Sequence, residues 1–580
     1  MRRIDSRDRR FGTNLRRAGF ALEATLAVLV LMSVLIVTVY ASAMAAFRAG
    51  RTDYTKQRSF YAAEAGAESG MAQLADALED AVLQDSELTS IVSPTMTGFV
   101  FDSFSVTKID TVRHERITDG PFSGLYSLTQ MVEVYSEASA PDRSSSAVIV
   151  TAKAQAIPIF QFGVFYEKDL EIHNGPRLDF AGWVHTNGNL YLNSSNQYFQ
   201  DIVTTPNKVF HDRKDRHQVN NGVYIQDATA TDVQLLFDSR SLPDADDFQN
   251  ASDVAFDNRL KTDAFGVDSL NVPLPDGMDP ANVIESRFLA DGSLEIQSKM
   301  SWKADWYIEV PVDRMPNESD FCNEYISTRT AGKVLPSAAD CALIFDLDYD
   351  QFYDGREDRF VDVVNIDMDE LFNWAGTDTT RITNIFYIFF SGTGPDPEGD
   401  GEYPTIRLQD ASTLGNPITV ATRHPIYVQG NYNSGAWQPA ALMGDNVTFL
   451  SNGWNDANQQ TDVRRNASGS GTIYTAIMAG HSGTPCDHEA PGCGATSPYG
   501  GGLENFPRFL ERWSGLTLFY RGSLVSLYFP QQSTGAWGGS YYSPPGRDWA
   551  FDLRFQDPAN LPPGTPVVGN VIHTAFRPVY

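Results

Sequence analysis

The chain is 580 residues long, and 73 acidic side chains against 44 basic ones give it a formal charge of −29. Residues 1–19 hold seven arginines and two aspartates, so the rest of the chain is more acidic still, at −34. Such a balance excludes binding to nucleic acid or anionic lipid through a basic face and describes a solvated surface that attracts cations.

The first element is apolar. Residues 24–46 read ATLAVLVLMSVLIVTVYASAMAA, 23 positions without a charge, enough to cross a bilayer core of ~30 Å at ~1.5 Å per helical residue. The arginines before it, from Arg2 to Arg17, place that flank in the cytoplasm and everything after about residue 48 outside. A secretory signal peptide ending at Ala43, Met44, Ala45 is the plainer alternative, but its apolar core would run only ~7–15 residues. Glu23 sits at the mouth of the helix, where an unpaired carboxylate costs ~3 kcal/mol. A second patch follows the span: Ser59, Phe60, Tyr61, Ala62, Ala63, Glu64, Ala65, Gly66, Ala67, Glu68.

The leader that ends in Ala18, Gly19, Phe20 resembles the class III signal of type IV pilins and pseudopilins, and the second patch resembles the AAEAG signature of PilX-type minor pilins. The likeness covers about the first 85 residues. It implies cleavage by a prepilin peptidase, a single pass through an inner membrane with the N-terminus cytoplasmic, and assembly with other pilins or pseudopilins. It also implies that the carboxylate at the fifth mature position pairs with the amine of a neighbouring subunit. Cutting between Gly19 and Phe20 makes Glu23 the fourth mature residue, and cutting between Ala18 and Gly19 makes it the fifth.

Past the span, Phe60, Ala63, Ala67, Met71, Leu74, Leu78 and Val82 step by three or four with no proline before Pro94, the pattern of one helical face. A helix is expected from residue 20 to 83, ~95 Å long. Its amphipathic half needs a partner, and segments 99–106, 126–138 and 146–160, with a turn at 142–146, have the alternation of strands. A long helix on a small antiparallel sheet is the pilin arrangement. Beyond residue 160 the apolar runs are short, at 162–166, 406–408, 418–420, 426–428, 447–450, 473–478, 516–520 and 524–529, each bounded by Gly, Asn, Asp or Pro.

The expected fold class is therefore α+β: a long transmembrane, pilin-like helix packed on a small sheet, then a large mainly-β ectodomain, either a parallel β-helix or a sandwich. Residues 178–192 and 416–433 close strands on Asn or Gly at short spacing, as β-helical turns do, without a fixed repeat. The expected divisions are a leader at 1–19, the helix at 20–83, a small β-rich domain at 84–160, a β-rich segment at 161–237, a linker or loop-rich excursion at 238–300, and a β-rich C-terminal domain at 301–580.

Cys322, Cys341, Cys486 and Cys493 all lie beyond the span. An even count in an oxidising compartment means two bridges, paired by proximity as Cys322–Cys341 and Cys486–Cys493. A zinc set of Cys486, His488, Cys493 and His481 has suitable ligand types but no common motif spacing. The sharper constellation is FDLDYDQFYDGREDRF. It sets Asp346, Asp348, Asp350, Asp354 and Glu357 where an EF-hand-like loop places its Ca2+ ligands, although Gln351 stands at the usual glycine. The competing reading is alternation on a solvated strand before an Asp-Gly turn.

No nucleophile elbow, Walker loop, dinucleotide fingerprint or HExxH motif is present. Histidines such as His173, His185 and His424 are expected to be structural, so no catalysis is expected. The sequence thus describes a minor pilin or pseudopilin-like component of a pilus or secretion fibre with a bulky head at its tip. The alternatives are a membrane-anchored adhesin that does not polymerise and a glycan-active β-helix enzyme.

Overall fold

No proline interrupts residues 15–77, and they form one 63-residue helix, α1 (Leu15–Ala77). The computed structural model describes residues 15–78, 83, 85–270, 279–287, 298–311, 321–392, 403–458, 465–488, 499–535, 537 and 542–579. The two halves of α1 differ in character. From residue 21 to 58 nearly every side chain is exposed, Leu22, Leu35 and Tyr40 among them. Among the described residues this is the one helix long and apolar enough to cross a membrane. From Ser59 onward one face is buried: Ala62, Ala63, Ala67, Met71, Leu74 and Leu78 share a core with Val106, Val132, Val134, Val148 and Val150. That is the face the spacing indicates. The helix stops at Ala77 rather than at 83, although Leu83 still joins the core; Val82 lies outside the described residues.

The partner surface is an antiparallel sheet of β1 (Val100–Lys108), β2 (Arg113–Arg116), β3 (Tyr126–Ser139) and β4 (Ser145–Pro158). A strand from the far end of the chain, Val567–Val579, completes it on the open edge of β4, while β2 pairs with β3. The division that gave residues 301–580 to one domain is corrected accordingly. Gly569, Asn570, His573 and Pro578 break the apolar pattern of this strand, as an edge strand with a solvated side allows. Glycines set how closely α1 approaches. A Cβ on Gly70 would meet Phe104 Cζ and Val134 Cγ1 at 2.9 Å, and one on Gly66 would run into Phe101 and Ser136. Only glycine permits that contact.

Everything between β4 and the last strand is an insertion built mostly of parallel strands. In its first part the strands are β5 (Val164–Tyr166), β6 (Leu170–Ile172), β7 (Leu178–Phe180), β8 (Val184–Thr186) and β9 (Leu190–Leu192). They continue as β10 (Ser194–Phe199), β11 (Val203–Thr204), β12 (Val209–Phe210) and β13 (Asn221–Gln226). The chain deals them in turn to three sheets: β5, β8 and β11 pair in parallel, as do β6, β9 and β12, and β7, β10 and β13. Paired positions recur after 20 and then 19 residues, as in Val164, Val184 and Val203 or Leu170, Leu190 and Val209.

Later strands extend the first of these sheets on its other side. Trp306–Pro311, Ile385–Ser391, Ile418–Ala421, Ala440–Gly444, Ala476–Ala479 and Leu524–Ser526 lie in parallel succession. The last of them pairs with β5, Leu524 opposite Val164. The chain therefore starts in the middle of an 11-stranded sheet, winds to one edge, crosses to the other and winds back to where it began. This return is what brings Val567–Val579 beside β4.

The crossing uses the segment expected to be a linker. Within it Ala245–Phe256 is a helix capped by the Asp244 carboxylate, with Phe248 and Phe256 in the main core, and Leu260–Lys261 pairs with β11. The large sheet is covered on both faces: Phe386, Ile388 and Phe390 lie in one core, Ile385, Tyr387 and Phe389 in another. Continuous apolar runs are what such a sheet requires. The second core also holds Ile157, Phe160, Phe162 and Val568, so head and small sheet share a packed joint. There the Gln161 side chain bonds both backbone groups of Tyr126, at 2.9 and 2.8 Å.

Candidate functional site

Residues 1–14 and the side chains of Ala18, Gly19 and Phe20 lie outside the described residues; the backbone of these three belongs to the start of α1. Glu23 stands exposed on the apolar half. The second patch lies in the seam between helix and sheet. Ala62, Ala63, Gly66 and Ala67 are buried there, Ser59 Oγ donates to Ser144 O at 2.7 Å, and Gln73 bonds both backbone groups of Val92 at 2.8 and 3.1 Å. Glu68 faces His573 of the last strand at 3.6 Å.

The acidic stretch forms an antiparallel hairpin, Phe345–Asp354 with Arg359–Asp367. Its first residues alternate, Phe345 and Leu347 buried, Asp346 and Asp348 exposed. The side chain of Asp350 lies outside the described residues. A register shift between Asp348 and Phe352 then reverses the faces, as a bulge does, and turns Phe352 and Asp354 inward. Asp354 Oδ1 accepts the backbone N–H groups of Arg356 and Glu357 at 2.8 and 3.2 Å, and its Oδ2 accepts the Tyr427 hydroxyl at 2.5 Å. Glu357 pairs with Arg508 and accepts from Gly535 N at 2.8 Å. Burial pushes its carboxyl up while Arg508 pulls it down. The four described acids therefore fall into an exposed pair and a buried, engaged pair, and do not converge as a loop of oxygen ligands.

Cys322 and Cys341 are bridged, their Cα atoms 6.0 Å apart, and tie the short helices Phe321–Tyr325 and Ala338–Ile344 together. Cys486 is also disulfide-bonded, and Cys493 lies outside the described residues. A bridged Cys486 is lost to the zinc set, and His481 is buried against Tyr166 and Phe506. His488 instead approaches Asp212 and His217, with the three ligand atoms within 4.8 Å of one another. Arg240 Nη1 already holds the same Asp212 oxygen at 2.6 Å, closer than His217 Nδ1 at 3.4 Å or His488 Nε2 at 3.6 Å. A guanidinium, then, neutralises this carboxylate.

Two histidines read as structural are hydrogen-bonded within the head. His185 lies between Thr204 Oγ1 at 2.8 Å and Asn187 Oδ1 at 3.0 Å, and His424 Nε2 accepts the Phe390 N–H at 3.0 Å. Burial pulls the first imidazole down to about 4 and the second to about 3. The partners of Asp354 and Glu357, namely Tyr427 and Arg508, are 73 and 151 residues away and carry no local signal. No family model, no curated protein and no solved structure matches this chain.

Proposed function

We propose that the chain is a type IV pilin-like subunit, a membrane-anchored minor component of a pilus or related secretion fibre that carries a large exported head. The observation that carries this reading is the division of α1. One unbroken helix has an exposed apolar first half and a second half seated on an antiparallel sheet through Gly66 and Gly70. Such a helix suits two surroundings in turn, a bilayer before assembly and the packed helices of a fibre afterwards, because each covers its apolar face. The leader ending in Ala18, Gly19 and Phe20 and the carboxylate of Glu23 would supply the processing and pairing signals, with the arginine-rich end cytoplasmic.

The head is read as a parallel β-helix in two runs that meet at β5. It is inserted between β4 and Val567–Val579, which leaves the pilin-like unit whole. Its bulk is incompatible with a place at every position of a closely packed fibre and assigns it to a rare one, the tip. N-terminal sequencing of the membrane form tests the proposal: Phe20 or Gly19 is the expected first residue. An intact Met1, or a terminus near Ala46, overturns it.

A further inference from the structure

The turn of the acidic hairpin holds a charge that its neighbours leave uncompensated. Arg356 is 4% exposed. Beside it Arg508 is engaged on both arms, Nη2 by Glu357 and Nη1 by Ser533 O at 2.5 Å. Both oxygens of Asp354 and both of Glu357 are already hydrogen-bonded elsewhere. Arg356 Nε and Nη1 are buried without a hydrogen bond, and its guanidinium lies over the ring of Tyr542 at 5.3 Å. Burial and the like charge of Arg508 pull it down to about 10, so it stays protonated at neutral pH. A buried charge without a partner is costly, and each such group in a folded protein asks for a reason.

The same side chain lines a cleft. Roughly 770 Å³ of empty space, part of it open to solvent, is bounded by Arg356, Arg508, His481, Asn505, Tyr499 and Trp537, a size within the ~300–1,000 Å³ usual for small-ligand sites. Its depth is basic and its mouth aromatic: Trp537 is 40% exposed and meets Tyr499 edge-on at 5.2 Å. Main chain forms much of the wall. A Cβ on Gly480 would come to 2.5 Å from Pro530 N, and one on Gly535 would collide with the carbonyl of Arg356.

We infer that this cleft binds a carboxylated sugar, with the carboxylate on Arg356 and the face of the sugar ring against Trp537. The guanidinium fork matches two carboxylate oxygens. The indole offers an apolar surface to the C–H face of a pyranose, and main-chain groups stand where hydroxyls need partners. A doubly charged phosphate fits less well, because one guanidinium balances one charge and the chain around it is strongly acidic. His481, held down to about 4 by burial, adds no second cation. The inference does not depend on how the chain is anchored or assembled.

Titration calorimetry on the full chain in detergent micelles tests it, with D-galacturonate, D-glucuronate, D-galactose and inorganic phosphate as probes. One of the two uronates should bind, and galactose and phosphate should bind at least about tenfold more weakly. Arg356→Gln should weaken uronate binding roughly 10- to 100-fold, the loss of one charge-assisted pair. Trp537→Ala should weaken it several-fold with the melting temperature unchanged. Without ligand, Arg356→Gln should hold or raise the melting temperature, since it removes an unpaired buried charge, whereas a structural arginine would be missed. Failure of both uronates to bind at millimolar concentration overturns the inference. So does equal binding of galactose, tighter binding of phosphate, full affinity in Arg356→Gln, or a lowered melting temperature in that variant.

Discussion

The helix-and-sheet unit and the head bury apolar surface in different ways. In the unit, β3 and one face of α1 are each covered on one side, so burial alternates along β3 and steps by three or four along α1. In the head the large sheet is covered on both sides, and many of its strands are only three or four residues long. The unit is specified by faces. The head is specified by register, since each coil must find the one before it 19 or 20 residues back. Local pattern in a sequence encodes the first kind of order much better than the second.

That difference is open to attack from either side. Deleting residues 567–580 should have the largest effect. It strips β4 of a ladder running from Pro158 to Ala147 and leaves a bare strand edge, at a cost upwards of ~5 kcal/mol. Limited proteolysis with mass spectrometry should then show cuts in residues 59–77 of α1 while the head resists; early digestion of the head would contradict the independence of the two regions. The converse is Cys322→Ala with Cys341→Ala. A bridge of sequence separation 19 contributes ~3 kcal/mol through the unfolded chain. Hydrogen exchange should report the loss in the head and leave β3 and β4 unchanged.

A smaller effect is expected at the seam. Gly66→Val places a side chain against Phe101 and Ser136 and should cost about 2 kcal/mol, read as faster exchange in β3 and α1 alone. Unchanged exchange there would mean that the glycine does not set the approach. The smallest effect is the pH response of His424. Its folded pKa of about 3 lies below the ~6.5 of an unfolded histidine. The unfolded chain takes the proton first, so this contribution to stability is full above pH ~6.5 and is lost as the pH falls towards 3. Between pH 7.5 and 5.5 the wild-type chain should lose ~1.4 kcal/mol more than His424→Gln in urea titrations; equal losses would mean an ordinary imidazole.

Much of the unit was legible. The expected strands at 99–106, 126–138 and 146–160 correspond to β1, β3 and β4, and the stripe from Ala63 to Leu78 is the buried face. What escaped has no apolar periodicity: β2 is RHER, and Val567–Val579 is a solvated edge. In the head, single strands were legible from runs such as residues 418–420 and 447–450, but not the order in which they stack, because loops of unequal length hide the repeat. The acidic hairpin shows how a motif misleads. Strand alternation puts acids at first, third and fifth positions, which is also the spacing of calcium ligands, and the shift after Asp348 that separates the acids leaves no mark in the sequence. Nor could the sequence show that Arg508 and Tyr427 lie beside Glu357 and Asp354.

The central claim is that α1 leaves the membrane to join a fibre. It is tested most directly by shearing surface fibres from cells that express either the natural chain or Glu23→Gln, and measuring the chain in the fibre and membrane fractions. The account predicts the natural chain in the sheared fibres at low copy, without residues 1–18 or 1–19, and the Glu23→Gln chain held back in the membrane. A chain confined to the membrane fraction of cells that do bear fibres, or a Glu23→Gln chain recovered in fibres as readily as the natural one, would contradict it.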